Sequence, residues 1–380
     1  MSNQITVIDL PFKKDTPITI QSMTTTKTAD VETTVAQIKR LEAIGCDIIR
    51  VAVPDIASAD AISEIKESIT IPLVADIHFD YKLALRAIER GADKIRINPG
   101  NIGSDSGVKA IADACNQRNI PIRIGVNSGS LEKDILEKYG GVTAEAMVES
   151  VMRHVKLLNK YDFDNIWLSV KSSNVSLTVK SNRLLSEQTR YPLHIGITEA
   201  GTELNGIIKN AIGIGSLLLD GIGSTIRVSL TAEPEKEVEA AKAILKALGL
   251  RPGIDIISCP TCGRCNINLI SLVKEVEKRL HINSQLPPSL SSSSPFSLLP
   301  SPSSPSPPSP TPFSLLPSPS SATIAIMGCA VNGPGEASQA DYGIAGGNNE
   351  GIIFAKGKLI KKVPMDNLVD ELFNVIKENK

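Results

Sequence analysis

The chain has 380 residues, enough for two domains with a sizeable core, and its 40 basic and 41 acidic side chains leave a formal net charge of −1. That balance gives no bulk attraction to nucleic acid or a membrane surface, and aromatics at 3% are too few for base-stacking platforms. Any anion site must therefore be local, and no apolar run approaches the roughly 20 residues of a membrane span.

The opening Met1-Ser2-Asn3-Gln4-Ile5-Thr6 is neither basic-then-apolar nor Arg-rich. It reads as neither a secretory signal nor a transit peptide, and the expected location is cytoplasmic. From about Ile18 to Gly249 one pattern recurs: a short apolar run, an amphipathic stretch, a small turn. The strand candidates are Ile18–Met23, Asp47–Val53, Pro72–Ile77, Asp93–Pro99, Pro121–Asn127, Asn165–Ser172, Pro192–Thr198 and Thr225–Leu230. Between them, Asp30 to Ala43 carries Val31, Val35, Ile38 and Leu41 at helical spacing, and Glu233 to Leu248 reads the same way. Eight consecutive strand–helix units predict a closed (β/α)8 TIM barrel over residues 1–250, ahead of an open doubly wound sheet.

Polar residues punctuate these strands at every second position. Asp76 and His78, Arg96 and Asn98, Arg123, Gly125 and Asn127, and Arg227 and Ser229 are such sets, joined by Arg50, Lys171 and Glu199. Residues two apart on a strand share a face, and the intervening Ile and Val belong under the helices. The polar set must then face the barrel interior, where an arginine is costly unless paired or serving a ligand. Arg50, Arg96, Arg123, Lys171 and Arg227 against Asp76 and Glu199 leave surplus positive charge, which suits a diphosphate. Asn98, Asn127 and Ser229 add neutral donors, and Glu199 is the acid/base candidate. A purely structural ion-pair network is the competing reading.

Arg251-Pro252-Gly253 reads as a linker, and Ile254 to Ser258 as a strand entering Cys259-Pro260-Thr261-Cys262-Gly263-Arg264. Cys265 to Leu280 reads as a helix with Ile270, Val273, Val276 and Leu280 on one face. Residues 284–321 are nearly all Ser and Pro and contain a direct repeat, so an insertion that cannot order itself by burial is expected there. Thr323 to Met327 is a strand leading to Gly328-Cys329-Ala330-Val331-Asn332-Gly333-Pro334-Gly335-Glu336. Asp341 to Ala345 and Gly351 to Phe354 read as strands joined by the Gly346-Gly347-Asn348-Asn349 turn, and Met365 to Lys377 as a helix. Residues 251–283 and 322–380 thus form a second, small α/β domain. Its thiols Cys259, Cys262, Cys265 and Cys329 fit tetrahedral zinc by their C-x2-C spacing. They equally fit a [4Fe–4S] cluster, held either by four thiols or by three and a non-thiol ligand.

The segments Ser258–Arg264, Met327–Glu336, Gln21-Ser22-Met23-Thr24, Arg50-Val51-Ala52-Val53-Pro54, Ile95–Gly100 and Thr198-Glu199-Ala200-Gly201 resemble the 4-hydroxy-3-methylbut-2-enyl diphosphate synthase family. The resemblance spans the chain except the Ser/Pro insertion. It implies a barrel followed by a cluster domain similar to half of the sulfite-reductase fold. It also implies a [4Fe–4S] cluster on Cys259, Cys262, Cys329 and Glu336, with Cys265 spare. The implied reaction is the reductive ring opening and dehydration of 2-C-methyl-D-erythritol 2,4-cyclodiphosphate, with electrons from flavodoxin or ferredoxin. Implied substrate residues are Arg50, Asp76, His78, Arg96, Asn98, Arg123, Asn127, Lys171, Arg227 and Ser229, with Glu199 and Glu336 catalytic and a head-to-tail homodimer as the assembly. Two alternatives stand beside this reading: a zinc-dependent barrel enzyme, and an iron–sulfur carrier or sensor.

Overall fold

The computed structural model describes residues 17–98, 102, 104–265, 267–284, 322–329, 339–347 and 349–378. Glu336 and, apart from Ser284, the predicted insertion lie outside the described residues. The chain divides into two compact units, Met1–Leu250 and Arg251–Lys380.

In the first unit, eight parallel strands form one sheet: β1 (Thr19–Met23), β2 (Ile48–Ala52), β3 (Leu73–Asp76), β4 (Lys94–Ile97), β5 (Ile122–Asn127), β6 (Ile166–Lys171), β7 (His194–Ile195) and β8 (Thr225–Ile226). Their order is β6-β5-β4-β3-β2-β1-β8-β7. The ends meet, because Leu168 and Leu193 form a parallel bridge and Leu168 N–H donates to the Pro192 carbonyl at 3.0 Å. This is the predicted TIM barrel. Its strands β7 and β8 pair over two residues each, far shorter than predicted. Beyond Ile195 the ladder stops at Gly196 (φ 154°), where a Cβ would stand 2.2 Å from the Arg227 carbonyl oxygen.

Nine helices among the described residues surround the sheet: α1 (Val31–Ala43), α2 (Ile56–Ser68), α3 (Tyr81–Glu89), α4 (Asp105–Arg118), α5 (Lys133–Tyr139), α6 (Ala144–Asn159), α7 (Val175–Gln188), α8 (Glu203–Leu219) and α9 (Pro234–Ala247). Six begin at a polar cap whose side chain accepts a first-turn N–H: Asp30, Asp55, Asp80, Ser104, Thr143 and Asn174. The core lies between sheet and helices. Ile49, Val51, Ile95, Ile97, Ile122 and Ile124 on the strands and Ile38, Leu41, Ile62 and Ile65 on the helices are all fully buried. Each such side chain contributes roughly 1.5–3 kcal/mol by leaving water. The short α5 has no counterpart in the eight-unit prediction. It is clasped to α6 by Glu132, whose carboxylate accepts the Ser150 hydroxyl at 2.7 Å and lies 3.3 Å from His154.

The second unit is a sheet of β9 (Asp255–Ser258), β10 (Thr323–Met327), β11 (Tyr342–Gly346), β12 (Glu350–Ala355) and β13 (Lys358–Pro364), in the order β13-β12-β11-β10-β9. β9, β10 and β11 are parallel, and β12 and β13 run back as hairpins. Helices α10 (Leu269–Ser284) and α11 (Leu368–Glu378) contribute Leu269, Val276, Leu368 and Leu372 to one core with Ile324, Ile326 and Ile344. Two expectations are corrected here. The helix predicted from Cys265 starts at Leu269, because Asn268 caps it by accepting Ser271 N–H at 3.1 Å. Leu269 then takes the buried place, and Ile270 is 57% exposed. β13 was not predicted. Lys356 and Gly357, both with positive φ, make the tight turn before it, and the lysines along this edge oppose pairing with another chain.

Candidate active site

The strand register stacks the polar positions at one end of the barrel. Met23 of β1 pairs with Arg50 of β2, Asp76 of β3 with Arg96 of β4, Arg96 with Arg123 of β5, and Asn127 with Lys171 of β6. A cavity of about 120 Å³ is lined by Arg50, Asp76, His78, Arg96, Arg123, Asn127, Lys171, Arg227 and Ser229, joined by Gly125, Ser169, His194 and Thr198. Nine of the polar residues singled out in the sequence therefore converge. Asn98 is buried, 6% exposed, but does not line the cavity. Glu199 is exposed on the loop after β7, with left-handed backbone (φ 49°), and does not line it either. A larger groove of about 540 Å³ on the outer face is lined by surface charges that pair with one another, Lys138 and Arg153 with Glu149.

Asp76 is the internal counter-ion. Its Oδ1 lies 3.0 Å from Arg96 Nη1, and its Oδ2 lies 3.7 Å from Arg50 Nε and 3.3 Å from His78 Nε2. Burial alone would raise its pKa, but Arg50, the His78 hydrogen bond and Arg96 outweigh it and hold the carboxylate well below its ordinary range. The second acid inside the barrel is Glu237, not the predicted Glu199. It reaches in from α9, 3.6 Å from Arg227 Nε, and accepts Leu230 N–H at 2.9 Å. Its pKa is raised, chiefly by burial, against the opposing pull of Arg227. Strand periodicity cannot find a residue that arrives from a helix.

Cations outnumber these two acids. Burial first, then Arg123 and Arg227, pushes Lys171 well below its ordinary value. Burial first, then Arg50 and Arg96, pushes Arg123 down. Arg50 falls to about 9, mainly by burial, and stays charged at neutral pH. His194 is driven down by burial and by Lys171, hence neutral, with Nδ1 2.6 Å from Thr225 Oγ1. One layer lower, Lys94 sits 3.5 Å over the Trp167 ring. The site is thus an excess of positive charge held out of water, which an anion with several oxygens would relieve. Two glycines open the space. A Cβ at Gly125 would lie 2.8 Å from Arg96 Nε, and one at Gly196 3.1 Å from Lys171 Nζ. Gln21 and Met23 on β1 also face this set. The two-residue spacing that marked Arg96 and Asn98 could have found them, but neither carries charge.

In the second unit, β9 and β10 end side by side, Ser258 opposite Ile326. Cys259 and Cys329 therefore leave neighbouring strand ends. Gly328 N–H donates to Cys259 Sγ at 3.1 Å. A Cβ at Gly328 would lie 2.5 Å from Cys265 Sγ, so that thiol rests against the same loop and donates to the Ile267 carbonyl at 3.3 Å. Cys262 is exposed, and Cys265 N–H donates to its carbonyl at 2.9 Å. Among the described residues, no three Cys, His, Asp or Glu side chains close on a common point. The donor set itself, thiols on a glycine-bearing loop with an N–H aimed at sulfur, fits a soft iron–sulfur group.

Known proteins match this arrangement. A family model described as the GcpE TIM-barrel domain matches residues 2–242, and one described as the GcpE protein C-terminal domain matches residues 314–378. The 4-hydroxy-3-methylbut-2-en-1-yl diphosphate synthase (flavodoxin) of Caldicellulosiruptor saccharolyticus is 55% identical over 376 residues, covering 99% of this chain and 98% of that one. The protein of the same name from Caldanaerobacter subterraneus subsp. tengcongensis is 52% identical over 380 residues, covering 100% and 97%. Among solved structures, a dihydropteroate synthase from Stenotrophomonas maltophilia is similar with a TM-score of 0.47 and 15% identity, covering 63% of this chain and 96% of that one.

Proposed function

The chain belongs to the GcpE family of flavodoxin-type 4-hydroxy-3-methylbut-2-en-1-yl diphosphate synthases, and from that premise we propose how its residues divide the work of the family reaction. The enzyme opens 2-C-methyl-D-erythritol 2,4-cyclodiphosphate reductively to 4-hydroxy-3-methylbut-2-enyl diphosphate, an iron–sulfur oxidoreduction that takes up two electrons and releases water. The observation that carries the assignment of roles is the cavity in which Arg50, Arg96, Arg123, Lys171 and Arg227 converge around Asp76, with Glu237 beside Arg227 as the further acid. The diphosphate binds there, with Asn127 and Ser229 as neutral hydrogen-bond partners and His78 at the exposed side.

The cations do more than bind. Opening the ring frees a phosphate oxygen from carbon, so the diphosphate gains negative charge as the bond breaks. A rigid excess of cations stabilises that developing charge more than the ground state, which lowers the barrier. Asp76 keeps Arg96 and Arg50 oriented. Glu199, at the rim, moves a proton to the hydroxyl that leaves as water. Its left-handed backbone is the kind of strain kept where a side chain must be aimed.

The thiols of Cys259, Cys262 and Cys329, with Glu336, would hold a [4Fe–4S] cluster that supplies single electrons and a Lewis-acidic iron. The Gly328 N–H holds the Cys259 sulfur ready for such a ligand role. Flavodoxin, named for the relatives, is the proposed electron donor, and a homodimer the proposed assembly. The zinc-enzyme and carrier readings find no support among the relatives.

Two measurements test this. Anaerobic protein loaded with iron and sulfide should consume the cyclodiphosphate in the presence of a chemical reductant; no consumption by cluster-bearing protein overturns the proposal. Cys329→Ser should lose the visible absorbance of the cluster while Cys265→Ser keeps it, and the reverse result would reassign the ligands.

A further inference from the structure

Three of the five cations that line the cavity are held by side chains of one strand that carries no charge. Arg123 Nη1 donates to Gln21 Oε1 at 2.6 Å. Arg50 donates to Met23 Sδ twice, from Nε at 3.0 Å and Nη2 at 2.8 Å, and Arg227 Nη1 approaches the same sulfur at 3.7 Å. β1 lies between β2 and β8 in the sheet, so Met23 stands between the two arginines, which would otherwise face each other across the gap. Gln21 is buried, 3% exposed, and its Nε2 finds no acceptor among the described residues.

A buried donor left without an acceptor carries a free-energy cost. A glutamate at position 21 would remove that cost and bind Arg123 more strongly. It would also cancel one of the charges the anion needs. We infer that Gln21 and Met23 are positioning residues that orient Arg123, Arg50 and Arg227 through uncharged acceptors, adding no negative charge to that already brought by Asp76 and Glu237. Carboxylates in their place would turn the site into a closed ion-pair network. Amide and thioether fix the geometry and add no further countercharge.

The inference rests on the proposed diphosphate site, and inorganic pyrophosphate is the probe for both. Its affinity for the whole protein is measured by calorimetry, with melting temperature alongside. Gln21→Glu should melt at or above the unaltered protein and bind pyrophosphate about tenfold more weakly, the signature of lost charge in an intact fold. Met23→Leu keeps the volume and loses the acceptor, and should bind about tenfold more weakly; Met23→Gln restores an acceptor and should return to within about threefold. If Gln21→Glu does not fold, the Met23 pair decides. Equal affinity in unaltered protein, Gln21→Glu and Met23→Leu overturns the inference. Failure of the unaltered protein to bind pyrophosphate at all would instead overturn the diphosphate site on which it rests.

Discussion

Lys171 closes β6 with its ammonium buried among Arg123, Arg227, Arg50 and Arg96, and burial followed by those neighbours pushes its pKa well below the ordinary lysine value. A bound dianion adds the opposite charge and lifts that pKa back toward its ordinary range. Between the lowered free value and the restored bound value, the complex holds more protons than the free protein. Binding then takes up protons, and affinity falls as pH rises through that window. Sulfate is the suitable probe, since it does not titrate near neutrality. Calorimetry over a pH series below the ordinary lysine range, in two buffers of different ionisation enthalpy, should show net proton uptake in part of that range; zero uptake throughout, or release, would contradict it. The residues behind this behaviour were legible in the sequence because arginine and lysine at alternate strand positions have few structural explanations. Glu199 differs from Arg96 in place: alternation would set both inside the barrel, whereas the ladder stops at Gly196 and Glu199 is exposed on the loop that follows. Glu237 was not legible, because its helix gives it an ordinary amphipathic context.

At the level of elements, the short β7 and β8 are where packing overrides pattern. Apolar runs of normal strand length pair over only two residues, because the segment beyond must pass Arg227 and Lys171 at close quarters. The two glycines of the site are expected to separate stability from binding. At Gly196 a methyl group would strike the Arg227 backbone, which cannot step aside, and the φ of 154° is itself unfavourable for alanine. Gly196→Ala should therefore lose about 1–3 kcal/mol in urea unfolding. At Gly125 the methyl group meets the Arg96 side chain, which can swing away. Gly125→Ala should unfold within about 0.5 kcal/mol of the unaltered protein, yet bind pyrophosphate about tenfold more weakly. The opposite ranking, with Gly125→Ala the unstable variant, would mean that Arg96 is fixed by more than Asp76 and the Gly125 carbonyl. The start of α1 was legible because its cap, Asp30, sits in the sequence ahead of the apolar spacing. The hairpin to β13 escaped notice because Leu359 and Ile360, exposed among lysines, show no alternation.

For the whole molecule, the separation of labour follows from the two cores. The barrel packs around Ile49, Ile95 and Ile122, and the smaller unit around Ile324, Ile344 and Leu372, with no residue common to both clusters. Every side chain lining the cation cavity lies between Arg50 and Ser229, inside the first unit. The candidate cluster thiols Cys259, Cys262, Cys265 and Cys329 lie in the second. A charge site and a redox site built on separate cores need not depend on each other to form, and their energies should add. Stripping iron from the purified protein with a chelator should then abolish turnover while leaving pyrophosphate affinity within about twofold. Calorimetry on the same preparation before and after chelation makes the comparison. Should affinity collapse with the iron, the anion site must be completed by the cluster-bearing unit, and the barrel's charge would be only half of the binding site. The sequence pointed to such a division through its change of register after Gly249, but only physical adjacency of β9 and β10 explains how two cysteine segments 67 residues apart, from Cys262 to Cys329, reach one locality. Parallel pairing sets both loops at the same end of the sheet, so whatever joins the strands elsewhere is free to vary in length at little cost.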